Sequence, residues 1–131
     1  MQKMSTPGLA PDECYIDDSD IVVLVMRGEH TPAKDILTTR TLREGIDIVR
    51  AEGKPVRIML DMMQVTKMGP TARFKGFTNI MWIKNCKIAF IINEHSIVGQ
   101  FVLLCRNIVD LKRYCNFANE ADARTWLLGD D

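Results

Sequence analysis

Short continuous apolar runs alternate along this chain with longer stretches in which apolar residues recur three or four positions apart. Residues 21–26 (IVVLVM), 56–60 (VRIML) and 88–92 (IAFII) have strand length and are rich in β-branched residues, the pattern of strands covered on both faces. Residues 13–17 form a shorter strand ahead of the first run. The turn chemistry of Asp17-Asp18-Ser19-Asp20 joins the two as a hairpin. A last short strand is predicted over 113–117.

Between the strands the periodicity changes. Thr31-Pro32 supplies an N-cap and a first-turn proline, and Ile36, Leu37, Ile46 and Val49 carry a helical spacing as far as Gly53. Gly69-Pro70-Thr71 opens a second helix with Phe74, Phe77 and Met81 on one face. A third is expected over 95–107, where Ile97, Phe101, Leu104, Cys105 and Ile108 share a stripe. Asn119, with Asp122 three positions on, caps a fourth, packed through Ala123, Trp126 and Leu127. A hairpin strand followed by four strand-to-helix units predicts an α/β fold: one mostly parallel sheet of four or five strands, right-handed crossovers and about four helices. The polar, proline-bearing residues 1–12 are expected to be a flexible leader, and 13–131 the domain. Phe90, in the middle of its strand, is expected in the core.

Composition narrows the classes. The 131 residues suit one domain, and 47% apolar with 26% charged residues excludes a wholly disordered chain. Lys+Arg and Asp+Glu both number 17, so no global field draws nucleic acid, and neutrality favours self-association, making a homodimer an expectation. Cys14, Cys86, Cys105 and Cys115 form no CxxC pair and sit mostly among apolar residues, against zinc or a disulfide framework. Since no apolar run approaches a membrane span, the chain is read as cytoplasmic, without an integral membrane segment.

The order of elements, the segment KPVRIMLDM leading to a loop and helix, the strand CKIAFIIN and the ending NFANEADARTWLL together resemble the SpoIIAA-like branch of the STAS superfamily over about 20–128. That branch is in turn similar to the lipid-binding CRAL-TRIO domains. The resemblance implies a scaffold for protein interaction and, in relatives, for small apolar ligands. In the anti-anti-sigma factors of the superfamily, a serine in an Asp-Ser-Ser/Thr-Gly stretch after the third strand is phosphorylated. Here the stretch reads Met68-Gly69-Pro70-Thr71-Ala72, so only Thr71 keeps a hydroxyl and dependence on a kinase is not expected.

In an open parallel sheet, ligands lie beyond the carboxyl ends of the strands, here the loops 28–31, 61–71, 93–96 and 116–119. His30 and His95 fall in them, with Glu29, Asp61 and Glu94 nearby. Their spacing matches no metal motif, and histidines at helix starts are expected to be solvent-exposed or capping. Ser96 and Thr71 lie in no GxSxG elbow, Gly69 and Gly76 form no phosphate loop, and no cofactor is expected.

From 62 to 93 there is no acidic residue, while Lys67, Arg73, Lys75, Lys84 and Lys87 are basic. This stretch offers a contact surface to an acidic partner or an anionic membrane, or else it is a solvated helix face. Phe77, Trp82 and Met62, Met63, Met68 and Met81 line an adaptable apolar cleft or fill the core. The leading expectation is a non-catalytic regulatory or protein-interaction module. Its alternative is a carrier of a small apolar ligand, with an enzyme using His30, His95 or Asp61 ranked third. The candidate contact residues are Lys67, Gly69, Thr71, Arg73, Lys75, Phe77, Trp82, His30 and His95.

Overall fold

The computed structural model describes residues 2–5, 12–68, 83, 85–93, 95–96 and 113–129. Among these residues six strands lie in chain order across one sheet: β1 (Gln2–Ser5), β2 (Glu13–Ile16), β3 (Val22–His30), β4 (Val56–Met68), β5 (Cys86–Ile91) and β6 (Tyr114–Phe117). β1–β2 and β2–β3 pair antiparallel, while β3–β4, β4–β5 and β5–β6 pair parallel. The sheet is therefore mixed, where a mostly parallel one was expected. The difference begins at the amino end: the stretch read as a leader contributes β1, paired with β2 from Gln2↔Ile16 to Ser5↔Glu13. Asp12, placed by the reading at the end of that leader, is buried.

Two helices stand among the described residues, α1 (Pro32–Ala51) and α2 (Glu120–Leu128). The helices expected to open at Gly69 and to run over 95–107 lie wholly or largely outside them. Both observed helices begin as their sequence dictates: the Thr31 hydroxyl accepts the Lys34 N–H at 3.2 Å, and the Asn119 side chain accepts the Asp122 N–H at 2.9 Å. α1 stops at Glu52, and Gly53 follows at φ +72°, a left-handed conformation that a side chain would strain. The hairpin turn is shaped by Asp17, whose Oδ1 accepts the N–H groups of Ser19 and Ile21 at 2.9 and 3.0 Å.

Alternation along the strands sorts the core into two faces. On one, Val22, Leu24, Ile58, Leu60 and Ile88 pack with Leu42, Ile46 and Val49 of α1. On the other, Ile21, Val23, Met59, Ala89 and Ile91 pack with Ala123 and Leu127 of α2. Phe90 is half-buried at the margin of the first face rather than enclosed. Lys87 pins the end of α2, its ammonium bonding the Trp126 carbonyl at 2.9 Å and lying 4.7 Å from the centre of the Trp126 ring.

β3 and β4 outrun the apolar runs that announced them. Their parallel ladder continues to Glu29↔Lys67 and His30↔Met68 through two register shifts, with Gly28 at φ +70° beside the second. Residues 28–30 and 61–68, expected as loop, are thus strand. The irregular register breaks the period-two alternation by which a strand is recognised.

Candidate functional site

The carboxyl end of β3 meets the first turns of α1 in a cluster of buried polar residues: Asp12, His30, Lys34, Asp35, Thr38 and Thr41. Helical geometry assembles four of the six. Lys34, Asp35, Thr38, Thr41, Leu42, Gly45, Ile46 and Val49 form one buried stripe of α1, whose first part is polar and whose second is apolar. The hairpin supplies the rest, because β2 runs antiparallel to β3 and carries Asp12, just before it, alongside Arg27.

Asp12 ties three elements together. Its Oδ1 accepts the Arg27 backbone N–H at 2.8 Å and lies 3.1 Å from the Lys34 ammonium, and its Oδ2 accepts the Thr38 hydroxyl at 2.9 Å. Lys34 also donates to the Arg27 carbonyl oxygen. The buried lysine and carboxylate therefore satisfy one another and the backbone between them, as buried charges require.

His30 stands differently. Nε2 lies 3.8 Å from Asp12 Oδ2 and Nδ1 lies 3.9 Å from Asp35 Oδ1, both beyond hydrogen-bond reach. Among the described residues neither ring nitrogen has a hydrogen-bond partner, although the residue is only 3% exposed. Burial holds its pKa below the ordinary histidine value; Asp12 and Asp35 oppose that and Lys34 adds to it. Deeper along the same interface the Cys14 thiol, 1% exposed, is pushed up to about 12 by burial and Glu44, which makes it inert while enclosed.

The expectation of an exposed or capping His30 is thus corrected: β3 extends through it, and the capping role falls to Thr31. His95 is exposed in the turn after β5, its N–H bonded to Asn93 Oδ1 at 3.0 Å. Asp61 is half-buried and accepts the Met63 N–H at 3.1 Å. Among the described residues no three His, Cys, Asp or Glu side chains are grouped to hold a metal ion. Lys67 is exposed on β4 opposite Glu29. Gly69, Thr71, Arg73, Lys75, Phe77 and Trp82 lie outside the described residues. Met62 and Met68 pack against the first core face, whereas Met63 is 47% exposed.

Sequence reasoning missed Asp12, Lys34, Asp35 and Thr38. A signal was present in the recurrence of 34, 38, 41, 45 and 49 on one helical face, but its leading members are polar, and a search for apolar stripes passes over them. It also put Ile36 on the packing stripe; Ile36 is 56% exposed.

Comparison with known proteins gives a likeness of fold. The chain is similar to the crystal structure of an uncharacterized DUF3478-family protein with a SpoIIAA-like fold from Shewanella loihica PV-4. The TM-score is 0.61 at 15% identity, covering 88% of this chain and 91% of that one. No family model and no curated protein matches the sequence. Among the described residues no helix is long and apolar enough to cross a membrane.

Proposed function

We propose that this SpoIIAA-like chain is a non-catalytic, regulatory protein-interaction module whose contact region is the end of β4 that outruns β5. One observation carries the reading. The β4–β5 ladder ends at Asp61↔Ile91, yet β4 continues to Met68 with Met63, Gln64, Thr66 and Lys67 exposed. An extended segment offering an apolar thioether, polar groups and a cation at the carboxyl end of the strands is suited to meet a protein surface. The buried cluster supports the same view from the other side, because its Asp12 carboxylate is consumed by internal bonds rather than presented to a substrate.

Affinity capture with the wild-type chain and the Met63→Glu/Lys67→Glu variant tests this. A protein retained by the wild type, released by raised salt and lost with the variant is the expected outcome, since exposed charges are screened within about 8 Å at physiological ionic strength. Identical capture by both chains would remove β4 as the contact region. With Gly69 and Pro70 at the motif positions, Thr71→Ala and Thr71→Glu leave the captured set unchanged. A native mass spectrum with one apolar molecule retained per chain would overturn the module in favour of a carrier.

A further inference from the structure

Among the described residues of the cluster, His30 is the one with buried ring nitrogens that lack hydrogen-bond partners. A neutral imidazole carries one donor and one acceptor, and burying both without partners is unfavourable. Among the described residues, the charged groups facing the ring are Asp12 from the segment entering β2, and Lys34 and Asp35 from α1. On β4 the residue opposite is Met68, uncharged, while Glu29 and Lys67 at the adjacent register position are exposed. Lys34 is already committed to Asp12 and to the Arg27 carbonyl, so a second cation on His30 competes with it for the same carboxylate.

We propose that protonation of His30 opens this clasp and releases β2, together with Cys14, from β3 and α1. A charged ring needs two acceptors and hydration, and both become available when Asp12 parts from Lys34 and Thr38. The segment that yields is the amino-terminal strand pair: β2 is held to the body by its four-position ladder with β3, from Glu13↔Val25 to Ile16↔Val22, by the Glu13–Arg27 ion pair, by the core packing of Cys14 and Ile16, and by the Asp12 bonds. One proton is taken up and no covalent bond changes. The sign follows from linkage. The closed form binds the His30 proton less tightly than an open chain does, so closure is fully favoured above about pH 6.5 and weakens as pH falls toward the closed-state pKa.

Two readouts on the full chain test this. The first is the rate at which Cys14 reacts with 4,4′-dithiodipyridine, located by peptide mass mapping and divided by the rate of the same thiol in the unfolded chain. Uptake of one proton raises this ratio by at most about tenfold per pH unit below pH 6.5. His30→Gln makes it independent of pH, and a variant that folds but keeps the wild-type dependence overturns the proposal. The second needs no variant. The chain has two histidines, so the His30 resonances are followed apart from those of His95 by NMR. His30 titrating below about pH 6.5, in step with Cys14 exposure, is the expected result. Titration of His30 at or above that value, or a Cys14 that stays protected while His30 titrates, overturns the proposal.

Discussion

Along one stripe of α1, Leu42, Ile46 and Val49 close over the sheet with apolar contacts, while one to three turns earlier Lys34, Asp35 and Thr38 meet Asp12 and His30. The two halves belong to one helix and cover one sheet face, yet they hold by different physics. Apolar burial is non-directional and roughly proportional to the area removed from water, so that half fixes α1 on the sheet without specifying fine geometry. The polar half gains less net free energy per contact but is directional, because each bond demands a particular donor and acceptor. It fastens the start of β2, whose Cys14 and Ile16 also pack in the core, and it contains His30, whose pKa burial holds below the ordinary histidine value.

Breaking the two halves separately should show the contrast. Asp12→Ala strands the buried Lys34 ammonium and removes the acceptor of Thr38 and Arg27, at an expected cost of about 3–5 kcal/mol by chemical denaturation. A loss below 1 kcal/mol would mean that the cluster is hydrated in solution. Ile46→Ala, in the apolar half and 1% exposed, should cost about 2–5 kcal/mol through lost burial and a cavity. Unlike Asp12→Ala it should leave the relative protection of Cys14 against the rest of the chain unchanged. Thr38→Val keeps the shape and deletes one hydroxyl bond to a carboxylate, and about 1.5–3 kcal/mol is expected in the same assay. If Thr38→Val were neutral, the Thr38 hydroxyl would contribute nothing measurable to holding Asp12.

The same contrast decides what the sequence disclosed. The strands around Val22, Val56 and Ile88, the Thr31 and Asn119 caps and the packing of Ala123 and Leu127 follow local rules of periodicity and capping, and each stands in the structure. β1 escaped because prolines and a glycine separate it from β2, and its role comes from a distant pairing rather than from its own composition. The carboxyl ends of β3 and β4 escaped because register shifts break their alternation. The polar cluster was hidden for a third reason. Burial of Asp12 and Lys34 is made tolerable by their mutual pairing across a separation of more than twenty residues, which no local window contains.

The claim that the polar half of α1 acts as one coupled clasp is tested most directly by a double-mutant cycle between Asp12 and Lys34. Folding free energies of Asp12→Ala, Lys34→Met and the double variant are measured by urea denaturation at pH 7.5. The account predicts that the double variant is markedly more stable than the sum of the single losses implies, with a coupling above about 1 kcal/mol. Additivity within about 0.3–0.5 kcal/mol would contradict it, showing two residues that are buried side by side but act independently.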